Sequence, residues 1–340
     1  MDKIKQVVIW GYPLYSHTMS YIHYGWHKAF TSLGYKTHWF DDDNYNETLD
    51  YNNTLFISEG YVDNKIPLNS SSVYFIHDCI NPSKYLDLGC RLIDIRFNVS
   101  SIKDCNYWYS LEEEKKNGNV EQLSDVSYYQ KLTNTSGLRK EHDNPRELNY
   151  EALYTSWATD LLPEEFDEND INFDREQDTI YYLGSVGESN GSSIYKFAYE
   201  ATKHNVKFKV NNPWKNPVDF DINKLHMKKS VICPDIRGEG DLNKIKLGEN
   251  GTCHKSIGYI PCRIFKAISY GCLGITNSKS VYDLFDGKVI YSDNEQNLFH
   301  FAMRNRNNKE LILEQMKIVK EKHTYINRVN DIICIVNKKY

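Results

Sequence analysis

No apolar run in the 340-residue chain approaches the ~20 residues that a membrane-spanning helix needs, so no transmembrane segment is expected. The amino terminus, Met1 to Gln6, leads directly into four apolar residues, Val7 to Trp10, too few for the core of a secretory signal. Basic charge is also short. Lys and Arg number 41 against 46 Asp and Glu, for a net charge of −5 and a pI near 6.1, which excludes nucleic-acid binding through a broad basic face. Eight cysteines (79, 90, 105, 233, 253, 262, 272 and 334) include no Cys-x-x-Cys pair, and Cys253-His254 has no second ligand pair at workable spacing. The expectation is no metal, no cofactor, and reduced buried thiols in a cytoplasmic protein. A full G-x-G-x-x-G is missing after the first strand, which disfavours a dinucleotide oxidoreductase.

What is present is a rhythm. Short apolar strands at Ile4–Trp10, Lys36–Phe40, Leu55–Ser58, Val73–His77 and Arg91–Phe97 alternate with helical signals over Tyr21–Leu33 and Pro82–Leu88. Such alternation is the mark of a parallel sheet covered on both faces. Residues 110–145 are polar and poorly patterned, and read as loops and helices on the rim. An acidic stretch from Glu164 to Asp174 reads as a solvated linker. The rhythm restarts with a strand at Thr179–Leu183, a turn at Gly184-Ser185-Val186-Gly187 and a helix at Ser192–His204. Strands at Val206–Val210 and Ser230–Cys233 follow, and Lys309–Val329 reads as one last amphipathic helix. The resulting organisation is α/β with two Rossmann-like domains facing a cleft: 1–162, a linker at 163–178, a second domain at 179–308, and a helical segment at 309–340.

Residues 258–278 carry the most information. They read as a loop, a short helix with Ile264, Phe265, Ala267 and Ile268 on its buried face, a stop at Gly271, and a buried strand through Leu273 and Ile275. Arg263 stands at the start of that helix, where an anion would lie, and Asn277 and Ser278 stand where the strand emerges. This unit resembles the donor-sugar half of the two-domain GT-B glycosyltransferases. The opening segment from Trp10 to His23 is similar to their acceptor-side start, and with the restart at residue 179 the resemblance spans nearly the whole chain. There is one departure: Lys266 occupies the position of the second of two glutamates that many retaining members carry.

The resemblance implies a metal-independent hexosyl-, pentosyl- or deoxyhexosyltransferase that takes a nucleotide-diphosphate sugar as substrate and a glycan or glycoconjugate hydroxyl as acceptor. It assigns the acceptor to the first domain and the donor to the second. His17, in the loop after the first strand, is suited to take a proton from the attacking hydroxyl. His77 and Asp78 follow the fourth strand and could orient the acceptor or act as base, unless Asp78 merely caps the next turn. Glu59, after the third strand, stands in an equivalent place. For the donor, Gly184, Ser185 and Val186 allow close backbone approach to phosphate. Asp235, Arg237, Lys255 and Arg263 put three cations on one edge of the second sheet, where they could stabilise a departing diphosphate in place of a metal. Tyr259 could stack on the base or pack in the core. Asp41-Asp42-Asp43 imitates the D-x-D metal site of the single-domain GT-A enzymes, but comes too early in the chain and reads as a solvated strand end. Two alternatives stay open: a catalytically inactive nucleotide-sugar or glycan-binding protein, and a nucleotide-sugar epimerase of the same fold.

Overall fold

The structure is a computed structural model that describes residues 4–96, 120–132, 150–171, 173–187, 190–212, 215–238, 255 and 259–338. Cys105, Cys253 and His254 lie outside the described residues. The chain divides into two compact units, one running to Ser156 and regaining the final helix from Tyr325, the other built on Trp157–Thr324.

The first unit is an eight-stranded sheet. β1 (Gln6–Trp10), β2 (Thr37–Phe40), β3 (Thr54–Glu59), β4 (Val73–His77) and β5 (Arg91–Arg96) run parallel in the order β2-β1-β3-β4-β5. β1, β3 and β4 read as near-continuous apolar runs because both sheet faces are covered: Val7, Val8, Ile9 and Trp10 are all fully buried. α1 (Ser20–Ser32) buries Tyr21, Ile22, Trp26, Ala29 and Phe30. α2 (Ser83–Leu86) is a single turn whose Tyr85 is buried.

Within residues 110–145, read above as loops and rim helices, the structure instead has strands. β6 (Val120–Gln122) and β7 (Tyr128–Leu132) join β8 (Tyr150–Tyr154), which pairs parallel to β5, and close the sheet in antiparallel fashion. The pattern was hard to read because the buried positions are polar or amphipathic. Gln130 is buried and accepts from Tyr154 Oη at 2.9 Å, and the Tyr129 hydroxyl donates to Glu151.

The second unit repeats the parallel order. β9 (Thr179–Leu183) pairs with β10 (Lys207–Asn211), while β11 (Pro234–Asp235), β12 (Ile275–Thr276) and β13 (Ile290–Tyr291) form a second parallel ladder. Val231 N–H donates to Thr179 O at 2.9 Å and Ser230 Oγ accepts from Tyr181 N at 2.9 Å, which lays the approach to β11 beside β9. The spatial order is therefore β10-β9-β11-β12-β13, the same 2-1-3-4-5 order as in the first unit. The third strand proper begins at Pro234; the apolar run Val231–Cys233, expected as that strand, is its buried approach.

The helices α3 (Gly191–Lys203), α4 (Phe220–Lys229), α5 (Cys262–Ser269), α6 (Lys279–Leu284), α7 (Glu295–Asn305) and α8 (Lys309–Lys322) belong to this unit. Ile264, Phe265 and Ile268 of α5 enter its main core with Ile180, Phe197, Ile275, Phe299 and Val319. The acidic stretch is strapped to the unit rather than free in solvent. Asp170 pairs with Lys224 at 2.9 Å and with Lys228, and Arg175 donates to Gly271 O at 3.0 Å.

The last amphipathic segment is two helices, not one. α8 stops at Lys322 and α9 (Tyr325–Asn337) starts three residues later. Between them His323 and Thr324 are buried, His323 O accepts from Thr159 N at 3.0 Å, and Thr324 bridges to Thr159. That extended pairing cannot coexist with helical backbone, so the helix breaks there. α9 then packs in the first unit, with Tyr325 against Trp26 at 5.0 Å and Arg91 donating to Ile335 O at 3.0 Å. Among the described residues no helix is long and apolar enough to cross a membrane.

Candidate functional site

In open parallel sheets of this order, the strand connections diverge to opposite faces between the first and third strands, and ligands bind at the carboxyl end of that crevice. In the first unit the position lies between the ends of β1 and β3.

β1 ends at Gly11, whose N–H donates to Phe40 O at 2.8 Å. A Cβ on Gly11 would lie 2.2 Å from Cε1 of His23, so this glycine makes room for a buried imidazole from the first turn of α1. Burial pushes the His23 pKa down to about 3, with a hydrogen bond at the Tyr12 backbone opposing it and His77 and His17 adding to it. Tyr12 stacks on His17 at 3.9 Å between ring centres and lies 6.3 Å from His23. His17 Nδ1 accepts from Met19 N at 3.2 Å, and burial lowers its pKa. A neutral imidazole that accepts at Nδ1 carries its proton on Nε2, so it meets a substrate as a donor.

Glu59 closes β3 beside His77 of β4, its register partner. The carboxyl is buried, and Oε2 has no hydrogen-bond partner among the described residues. Burial, reinforced by the negative charge of Asp78, raises its pKa from the usual 4.5 to about 7. His77 Nε2 lies 3.6 Å from Asp78 Oδ2. Asp78 takes φ +51, and its carbonyl lies where a Cβ on Gly60 would come within 2.3 Å, so the exits of β3 and β4 interlock. His17, His77, Asp78 and Glu59 thus share one electrostatic neighbourhood with Tyr12 and His23.

Sequence reading put Glu59 behind His17 and missed Tyr12 and His23. A glutamate as the last residue of an apolar strand was the available signal for Glu59; nothing local marks His23, whose role depends on the glycine across from it.

In the second unit the corresponding crevice lies between the ends of β9 and β11. β9 ends at Gly184, whose N–H donates to Asn211 O at 2.9 Å. A Cβ here would lie 1.8 Å from Nη2 of Arg263, so the guanidinium rests directly on the backbone of this turn. Arg263 projects from the first turn of α5; Nε donates to Leu183 O at 2.6 Å and Nη1 to Tyr182 Oη at 2.7 Å. Nη2 has no hydrogen-bond partner among the described residues.

Asp235 is buried between two guanidiniums. Arg237 Nε donates to its Oδ1 at 3.0 Å, and Arg263 Nη1 lies 3.5 Å from the same atom. Burial works against the charge on Arg237, but attraction and hydrogen bonding from Asp235 outweigh it and raise its pKa. Two guanidiniums thus flank the single carboxylate of Asp235; the next acid, Glu295, lies one step back and accepts from Asn277 Nδ2 at 3.3 Å.

Asn277, just past β12, fixes the Arg237 backbone from both sides, accepting from N at 2.7 Å and donating to O at 2.8 Å. Ser278 beside it is fully buried with no partner for Oγ among the described residues. Tyr259 lies under Arg237 at 5.7 Å and accepts from Trp157 Nε1 at 2.7 Å; burial raises its pKa to about 12, against the pull of Arg237.

Residues 184–187 are pinned by Asn190, which accepts from Gly187 N at 2.9 Å and donates to Ser185 O at 3.0 Å; Val186 packs on the core. Lys255 donates its backbone N–H to Gly238 O at 3.1 Å, which ties it to the chain leaving β11. Gly184, Asp235, Arg237, Tyr259, Arg263 and Asn277 are therefore brought together, with Ser185, Val186, Ser278 and Lys255 on flanking backbone. Lys266 is turned elsewhere, 3.3 Å from Asp160 Oδ1 and over the Phe220 ring at 4.7 Å.

The aspartate run forms a turn of its own. Asp41 accepts from the N–H groups of Asp43 and Asn44, and Asp42 accepts from Trp10 Nε1 at 2.9 Å.

No family profile matches the chain, and no curated protein does either. Among solved structures, AviGT4, a glycosyltransferase involved in avilamycin A biosynthesis, aligns over 97% of this chain and 98% of its own at 8% identity and a TM-score of 0.45. WaaG, a glycosyltransferase involved in lipopolysaccharide biosynthesis, aligns over 96% and 99% at 11% identity and a TM-score of 0.43. An α1,3-fucosyltransferase with GDP aligns over 100% and 92% at 11% identity and a TM-score of 0.38.

Proposed function

We propose that the chain is a metal-independent glycosyltransferase of GT-B type that transfers a sugar from a nucleoside diphosphate to an acceptor hydroxyl. One observation carries this reading. Two units with the same strand order bear opposite chemistry at the same crevice, a two-arginine edge in the second and an acid–base edge in the first. A diphosphate needs the former and an attacking hydroxyl the latter.

In the second unit Arg263, with Arg237 held behind it, meets the diphosphate. As the sugar leaves, negative charge grows on the phosphate oxygens, and a guanidinium already locked by Leu183 and Tyr182 stabilises it without reorganising. The Gly184 turn supplies backbone at close range. In the first unit Glu59, poised near neutrality, is the base that takes the hydroxyl proton, since the best catalytic pKa lies near the working pH. His17 orients the acceptor as a donor, with His77 and Asp78 bounding the same pocket. This differs from the sequence-based choice of His17 as base, for the tautomer reason given above.

The test is a thermal-shift and calorimetric series with UDP, GDP, ADP, dTDP and their sugars. A nucleotide at 100 times its dissociation constant stabilises by about 2.7 kcal/mol. Arg263→Ala is expected to lose about 1.5–3 kcal/mol of that binding while remaining folded. Release of nucleoside diphosphate that depends on acceptor separates a transferase from a binding protein. A chain that none of these nucleotides stabilises overturns the reading.

A further inference from the structure

Away from both crevices, Glu200, His204 and His300 converge on one point of the second unit. Glu200 is on α3, His204 follows that helix at i+4, and His300 reaches in from α7, which packs against α3. His204 Nε2 lies 3.3 Å from Glu200 Oε1 and His300 Nε2 lies 3.1 Å from the same oxygen. All three ligand atoms fall within 4.8 Å of one another.

We propose that these three side chains bind a divalent transition-metal ion of the zinc class, held at the far end of α3 from the Gly184 turn. With zinc bonds of about 2.0–2.2 Å to nitrogen and oxygen, adjacent ligands of a tetrahedron stand about 3.3–3.5 Å apart. Both Glu–His separations match that edge to within a few tenths of an ångström, so the ion enters with small ring movements. The donor set, two imidazoles and a carboxylate, suits zinc and its neighbours rather than calcium or magnesium.

The surroundings hold the ligands in place. His204 stacks on the buried Phe299 at 5.6 Å between centres, and its ring stands nearly perpendicular to that of His300 at 4.9 Å and 87°. Lys203 Nζ lies 3.4 Å from Oε2 of Glu200, which occupies the second carboxylate oxygen and leaves Oε1 to the metal. Glu200 is nearly buried, whereas the His204 and His300 side chains are 51% and 38% exposed, so the ion has an open path and water completes its coordination. The bound ion would clamp α3 to α7, both of which line the core of the unit through Phe197 and Phe299.

The experiment uses the full chain, freed of metal by EDTA and gel filtration, and titrated with zinc chloride by calorimetry and with cobalt(II) by visible absorption. A saturable site is expected, with a cobalt spectrum of four- or five-coordinate intensity. His204→Ala, His300→Ala and Glu200→Gln should each weaken zinc at least ~10-fold and abolish that spectrum, with circular dichroism unchanged. Because thiols elsewhere in the chain also take zinc, the difference between wild type and the His204→Ala/His300→Ala double variant is decisive. Equal affinity and equal cobalt spectra in the two proteins would overturn the assignment, as would failure of the wild type to bind either ion.

Discussion

Gly11 and Gly184 occupy the same place in two sheets. Each is the first residue after the first strand of its unit, each donates its N–H to the end of the adjacent second strand, and each has a φ near +158 or +157. Each also leaves its Cβ position to the side chain that defines its edge, a buried imidazole at Gly11 and a guanidinium at Gly184. The frame is common, and one intruding side chain differs, a neutral imidazole at the edge proposed for acid–base work and a guanidinium at the edge proposed to bind an anion. In the first unit the intruder is neutral, and burial raises the carboxyl of Glu59, at the end of β3, to about 7. In the second, two arginines outnumber their single carboxylate.

The strongest way to break this contrast is to remove the carboxyl. Glu59→Gln keeps the shape of the first edge and removes the group proposed as base, so turnover is expected to fall roughly 10²–10⁴-fold with nucleotide-sugar affinity unchanged, because the proposed donor site is on the other unit. His17→Ala, which removes a donor rather than the base, should cost only about 10-fold. Steady-state rates at saturating donor measure both. A reversed ranking, with His17→Ala the more damaging, returns the base to His17.

A second comparison uses the glycines themselves. In Gly11→Ala the new methyl meets a ring buried in a packed site, and overpacking with backbone strain should destabilise by about 2–4 kcal/mol. In Gly184→Ala the methyl meets the far end of a flexible side chain, so Arg263 swings aside. The same backbone strain applies at φ +157, so stability should fall by about 1–2 kcal/mol, less than at Gly11, while nucleotide affinity drops by about 10-fold or more. Urea denaturation and nucleotide titration on both variants read the two effects separately. Equal stability losses would mean that Arg263 is as rigidly built in as His23, and that the two glycine positions do not differ in what they accommodate.

The parallel frame was legible because β1, β3, β4 and β9 are short apolar runs, and α5 because Ile264, Phe265 and Ile268 fall on one face ahead of Gly271. The gathering of Arg263 and Asn277 at the second crevice was legible too, since both flank helix and strand ends that local pattern locates. β7 and β8 were not, because Gln130, Glu151 and the tyrosines around them are buried polar groups that satisfy each other across strands, a pairing no local window contains. The break at His323-Thr324 was hidden for the same reason, its partner Thr159 being far away in the chain. His23 illustrates the limit for the site: its burial is set by a glycine on another element, and its pKa by that burial.

The finest test of the contrast is a pH profile of stability. Glu59 is raised from 4.5 to about 7, so between those values the native protein holds a proton that the unfolded chain has released. Stability from this residue is therefore present below about pH 4.5, declines as pH climbs through the window, and is lost above about 7. Glu59→Gln has no such decline. Its stability relative to wild type should rise across the same window, by on the order of 3 kcal/mol, and then level off. His23 acts with the opposite sign. Its pKa is lowered to about 3, so the unfolded chain takes up a proton below about 6.5 that the native state refuses, and stability falls as pH drops toward 3. In the wild type the two slopes oppose each other between about 4.5 and 6.5; in Glu59→Gln the Glu59 slope is gone, and the difference between the two proteins reports it alone, since His23, His17 and the other shifted groups are common to both. Urea unfolding at half-unit steps from pH 4 to pH 8 gives both curves. A difference curve that stays flat across the window would show Glu59 to be an ordinary solvated carboxylate, and would take from the first edge the group on which its acid–base role rests.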